Sequence, residues 1–250
     1  TGETDAAGAD AVADAMGDLP LALAQAAAFM NRPMRKGRIT FTAYLERYRA
    51  NRSSVFSDAS RPVSYPSTVE TTWLMAMQEI GERHPEAEGL LFFMSVLAPE
   101  AVPWPVLEML THEDVVGRSD IETMEEIETC LEALSAYALV EWTSDGFVVH
   151  RLVQAVVIDQ MTEEEVHTWR EAALKVLNHL WPAEYSDTAT WALSDKLLTH
   201  ALHVASESDR DDEAALTASL LNAIAKYLYA RGTYDDAVPL FVRAPRIQVF

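Results

Sequence analysis

Apolar residues recur along most of this chain at spacings of three and four, the period of an amphipathic helix. Residues 5–16 predict a helix that breaks at Gly17-Asp18. A second helix begins at Leu19-Pro20 and runs to about Asn31, with the proline in a first turn whose N–H groups are unpaired anyway. Residues 40–50 predict a third, and residues 51–66, rich in Ser, Pro and Arg, a loop. The next helix carries Trp73, Met77 and Ile80 on one face and ends near Gly81 and His84-Pro85, and another spans 86–97. Pro99, Pro103 and Pro105 then break the chain before a short helix around Val106–Leu110. Met124, Ile127, Leu131, Leu134 and Ala138 mark one further apolar stripe.

At Leu139 the period changes. Leu139 to Thr143 and Phe147 to Val149 flank Ser144-Asp145-Gly146, which reads as strand, tight turn, strand. A helix follows from Arg151 to about Met161, and helix, hairpin, helix in this order predicts a winged helix. Thr162 and Glu165 form a capping box at the start of the next helix, whose face carries Val166, Trp169, Ala173, Val176, Leu177 and Leu180. Helices over 190–206, 212–230 and 234–243 complete a mainly α chain.

The 250 residues are 49% hydrophobic, enough to bury a core and expected to make one or two domains. Lys and Arg number 19 against 39 Asp and Glu, a net charge of −20. That balance argues against nucleic-acid and anionic-membrane partners, which need a positive surface. The charge is uneven: residues 31–61 hold eight bases and two acids. The plain reading of that stretch is a solvated surface, and the sharper one is a face that docks on an acidic neighbour. A single cysteine, Cys130, excludes an intramolecular disulfide and fits a reducing, cytoplasmic location. No run reaches the ~18 apolar residues of a membrane span. Thr1 is not an initiator methionine and the first residues are small and acidic, so the chain is expected to be a piece of something longer, without a signal peptide.

Enzymatic signatures are missing. None of Lys36, Lys175, Lys196 and Lys226 is followed by Ser or Thr, so there is no phosphate-cradling G-x-x-x-x-G-K-[ST] loop. No Gly-x-Gly pair, H-E-x-x-H or G-x-S-x-G occurs. No catalytic residue and no metal site is expected. His200 and His203, with Glu207 beyond, have a helical spacing that suits zinc, but two surface histidines are the commoner arrangement. Cys130 reads as a small buried hydrophobe. Residues 121–160 carry eight acids and one base, Arg151, so a DNA-reading role for the winged helix would be opposed by charge.

Three motifs together resemble the C-terminal half of an NB-ARC ATPase, of the STAND class of signalling ATPases. The likeness is greatest to bacterial and fungal NB-ARC proteins carrying tetratricopeptide repeats. Gly17-Asp18-Leu19-Pro20-Leu21-Ala22-Leu23 is similar to the family's G-L-P-L-A, whose proline packs on the adenine of the nucleotide. Val149-His150-Arg151 resembles the Met-His-Asp motif, whose histidine contacts the β-phosphate of ADP; here Val149 replaces methionine and Arg151 replaces aspartate. Gly232, Tyr234, Ala237, Phe241 and Ala244 fall at the small and aromatic packing positions of a tetratricopeptide repeat, with Leu221, Ile224, Ala225 and Leu228 on its first helix. Pro245 is expected to stop the last helix.

The resemblance implies three parts: a helical NB-ARC-like subdomain (residues 1–66), a winged-helix subdomain with one short hairpin (67–160), and linking helices leading into an α-solenoid (161–250). It implies a nucleotide-controlled switch in the intact parent, with Leu19, Pro20 and His150 toward ADP or ATP with Mg. No tight nucleotide binding is expected of this chain alone. The chain itself is not an enzyme on this reading, and slow ATPase activity would belong to the parent. Implied partners are an upstream P-loop domain of the same protein, a protein or peptide ligand on the repeats, and further copies on activation, with no nucleic acid and no membrane. The competing readings are a helical interaction adaptor with no nucleotide role and a winged-helix DNA-binding regulator.

Overall fold

The computed structural model describes residues 5–16, 18, 20–31, 39–55, 67–112, 121–208 and 212–247. In order these form α1 (Ala6–Ala15), α2 (Pro20–Asn31), α3 (Phe41–Val55), α4 (Ser67–Arg83), α5 (Pro85–Ser95) and α6 (Trp104–Glu108). Then come α7 (Met124–Ala136), β1 (Val140–Thr143), β2 (Gly146–Val149), α8 (Arg151–Gln160), α9 (Glu163–Leu180), α10 (Trp191–Glu207), α11 (Ala214–Ala230) and α12 (Tyr234–Ile247). The fold is mainly α with one short antiparallel hairpin. Of the expected features, Gly17, Leu19, the basic residues Arg32, Arg35, Lys36, Arg38 and Arg61, and the segment 56–66 lie outside the described residues.

The α4 helix ends at His84-Pro85 as expected, and two other helix ends differ from the local punctuation. The α4 helix passes through Gly81 and stops at His84, because the residue before a proline is pushed out of the α region; His84 has φ −142° and Pro85 opens α5. The α3 helix continues to Val55, where a loop from Asn51 was expected. The α12 helix runs on to Ile247 and does not stop at Pro245, which forgoes one N–H bond in the last turn. Other ends follow side-chain chemistry. Thr123 with Glu126, and Thr162 with Glu165, form complete capping boxes for α7 and α9.

The stripe of α7 buries Ile127, Cys130, Leu131 and Leu134. Ala138 is past its end, at φ +53°, while the N–H groups of Ala138 and Leu139 return to the carbonyls of Ser135 and Leu134. This is the glycine position of a Schellman motif filled by alanine. A continuous core extends from Val12 on α1 to Ala237 on α12. Its largest members include Trp73, Tyr44, Tyr48, Tyr227 and Phe93.

The hairpin pairs Val140 with Val149 and Thr143 with Gly146, so Ser144 and Asp145 make the turn. A third segment joins it: Val102 donates to the Phe147 carbonyl (2.8 Å) and accepts from the Phe147 N–H (3.3 Å). Gly146 has φ +147°, and a Cβ there would overlap the Val102 carbonyl oxygen. The strip beside Val102 is also held from the far side. His200 on α10, 1% exposed, puts Nε2 3.1 Å from the Ala101 carbonyl oxygen. Lys196 on α10 pairs with Asp145 at the hairpin tip (3.2 Å).

Two polar ties cross the core. The Gln154 amide on α8 donates to the carbonyls of Met94 and Leu97 at the end of α5 (3.1 and 3.2 Å). His167 on α9 lies 2.8 Å from the fully buried Glu213 carboxylate and 3.2 Å from Asp212, tying α9 to the start of α11.

Two outcomes follow from the clasped strip. Gly146→Ala should lower the stability of the chain by about 2–3 kcal/mol, through strain and overlap, read as a shifted urea midpoint. Burial holds the His200 imidazole below its ordinary value of 6.5. Among the described residues its Nδ1 has no partner, so a second proton there would be buried and unpaired. The unfolded chain therefore binds that proton first. Stability should be unaffected by this group above pH 6.5 and fall as pH drops below it, until the folded-state group also titrates. His200→Gln should flatten that part of the pH profile in urea titrations.

Candidate functional site

Pro20 is the first residue of α2 and is exposed. Just before it, Asp18 adopts φ +53° and its N–H returns to the Ala13 carbonyl, closing α1. The helix buries Ala22, Gln25, Ala26, Phe29 and Met30. Gln25 reaches the Ala138 carbonyl (3.0 Å), and Phe29 meets the Tyr137 ring edge-to-face. The α2 helix is thereby seated on the corner between α7 and β1.

His150 leaves the same end of the hairpin, because Val149 is opposite Val140, two residues beyond Ala138. It is the N-cap of α8: its Nδ1 accepts from the Leu152 N–H at 3.2 Å, and its carbonyl accepts from Val153 and Gln154. An accepting Nδ1 in a neutral ring places the proton on Nε2. The ring is exposed, so that N–H is available as a donor beside the positive end of a ten-residue helix. Arg151 is exposed and adds a cation. Pro20 and His150 thus belong to two helices seated on one end of the hairpin, while Leu19 lies outside the described residues.

At the C-terminal pair, the roles are divided differently from simple packing. Gly232 has φ +82° with open space where a Cβ would be. It serves a Schellman turn, in which Gly232 and Thr233 return hydrogen bonds to Tyr229 and Leu228. Tyr234 is 54% exposed and packs on Tyr229 at 5.0 Å. Ala237 and Ala244 are buried, the latter with Ala205, Ala218 and Leu221, and Phe241 is half-buried against the core.

The remaining candidates have ordinary partners. His200 of the zinc-like spacing turns its Nε2 to the Ala101 carbonyl, and among the described residues no group of three His, Cys, Asp or Glu is placed to hold a metal. Burial pushes the Cys130 thiol up to about 11, so it stays protonated and unreactive near neutrality. No helix among the described residues is long and apolar enough to cross a membrane. Sequence reasoning missed two clusters. Asp195, Tyr227 and Arg231 bond one another across α10 and α11, with Arg231 over the Trp191 ring. Trp104, Trp142 and Phe147 form an aromatic corner beside α7. The outward-facing Trp142 of a half-buried strand is the signal that could have found the second.

The cap gives a direct test of the first histidine role. His150→Ala should destabilise the chain by about 1 kcal/mol, and His150→Ser, which keeps an acceptor for Leu152, by much less. Thermal and urea unfolding of the two variants reads the difference.

A family described as a domain of unknown function (DUF7779) matches residues 79–166, from the end of α4 to the first turn of α9. A nucleotide-binding leucine-rich repeat (NLR)-like protein of Hyaloscypha variabilis is 29% identical over 241 residues. That match covers 91% of this chain and 22% of the relative, so the chain spans about a fifth of the length of the curated protein it matches. No solved structure matches. The chain is similar, over nearly all of its length, to part of an NLR-like protein.

Proposed function

We propose that this chain is part of a nucleotide-controlled signalling switch of the NB-ARC kind, in which α2 and α8 present Pro20 and His150 to an ADP held by a P-loop domain of the same protein. The observation that carries the reading is the similarity to an NLR-like protein across 91% of the chain. The hairpin end is compatible with it. A rigid proline ring opens α2, and the His150 Nε2–H points away from its own cap, toward whatever occupies that face.

The order of α5, the Val102 bridge, α6, α7 and the hairpin supports the winged-helix reading. On this reading its histidine has two simultaneous jobs: Nδ1 fixes the ring by capping α8, and Nε2 donates to the β-phosphate. On this reading hydrolysis belongs to the P-loop domain. Switching requires the two nucleotide states to contact the chain differently, and His150 is the residue that would sense the difference. The α11–α12 pair is then the first unit of a repeat array that binds a protein ligand, with oligomerisation in the open state. The adaptor reading draws on one observation, the exposed Tyr229, Tyr234, Val238 and Val242 of that pair. DNA readout by the winged helix is disfavoured by Glu125, Glu128 and Glu132, all exposed on α7.

The test uses the full-length protein. Its coding sequence upstream of Thr1 should contain G-x-x-x-x-G-K-[ST]. Purified protein should retain ADP through desalting, and His150→Ser should release it about tenfold faster at unchanged melting temperature, because the cap is kept and the donor is lost. Equal release from the two proteins, or a coding sequence without the P-loop, would overturn the switch in favour of the adaptor.

A further inference from the structure

The aromatic corner lies outside the face assigned to nucleotide. It is one wall of an open groove of about 420 Å³, within the range of about 300–1,000 Å³ typical of ligand clefts. Trp104, Trp142 and Phe147 line one side, and Leu131 and Ala136 with Glu128 and Glu132 line the side made by α7. The three rings meet edge-to-face: Trp142 and Phe147 at 4.5 Å and 82°, Trp104 and Phe147 at 5.3 Å and 88°, Trp104 and Trp142 at 6.1 Å and 67°. Trp142 is nonetheless 65% exposed. An indole held upright by two other rings yet open to solvent is the kind of anchor that dominates protein interfaces.

The groove is preformed. The hairpin is bonded to Val102, Gly146 is pressed on that strand, and Lys196 holds Asp145 at the tip. The chemistry of the two walls selects the occupant. Glu128 and Glu132 are one turn apart, hence on one face of α7, and both are exposed. Aromatic faces attract cations and repel anions, and the carboxylates do the same. Phosphates and nucleic acid are disfavoured on both counts. A wholly apolar ligand would cover the two carboxylates without pairing them. A side chain with an aliphatic stem and a cationic head satisfies both walls, and the net charge of −20 draws such a partner in.

We propose that this groove docks a peptide segment of a partner protein through an arginine or lysine. Its head lies against Trp142 and pairs with Glu128 and Glu132, and a neighbouring apolar side chain covers the exposed Ala136. The inference is independent of the nucleotide reading, since the groove and its occupant involve neither Pro20 nor His150.

Selection of a displayed library of random peptides about twelve residues long tests it, on the 250-residue chain, with the Trp142→Ala chain as counter-target. Retained peptides should be enriched in Arg or Lys beside a large apolar residue. A synthetic copy of the most enriched one should bind about tenfold more weakly to Trp142→Ala and to the double variant Glu128→Gln, Glu132→Gln. Replacing its cation by neutral citrulline or norleucine should cause a similar loss, and Tyr229→Ala should cause none. Should Trp142→Ala melt early, the double glutamine variant, which leaves the aromatic corner intact, carries the decision. The proposal fails if no Trp142-dependent peptide is enriched, if the enriched peptides are acidic or wholly apolar, or if a duplex DNA probe competes for the groove.

Discussion

The backbone of Gly146 lies against the carbonyl of Val102, and the middle of this molecule depends on that approach. It lets one residue of an otherwise irregular stretch join the hairpin as a third strand segment. That stretch is then caught between β2 and the buried His200 of α10. The contact fixes where Trp104 starts α6, and through the hairpin register it fixes where Val149 ends and His150 begins. A two-stranded ribbon alone is marginally stable; here it is held on one edge by Val102 and at its tip by Lys196.

Much of the element order was legible because it rests on short-range physics. The change of period at Leu139, the Ser-Asp-Gly turn and the Thr–Glu capping boxes each act within a few residues. Punctuation read from single residues was less faithful. Gly81 lies within α4 because Trp73, Met77 and Ile80 are buried on its core face, and burial outweighs a glycine's helix penalty of about 1 kcal/mol. The long-range polar ties were beyond reach. Nothing local to Gln25 or Gln154 says that their amides will close on Ala138 or on the end of α5, since those partners are 113 and about 60 positions away in sequence.

The two face-forming motifs show where resemblance and geometry meet. Pro20 opens α2 and His150 caps α8, each an ordinary structural role. The geometry adds that capping employs only one imidazole nitrogen, so the structural role of the ring leaves its Nε2 open to solvent. In the C-terminal pair, the glycine supplies a turn conformation and the alanines supply closeness, a division of labour that a list of small residues conceals.

The Gln154 side chain has a mechanical corollary. Both hydrogens of one amide are spent on two carbonyls at the end of α5, so a rotation of α8 about its axis would strain both bonds. The two bonds pin one face of α8 to the end of α5, so the helix that His150 caps is held in rotation by a residue one turn further along it.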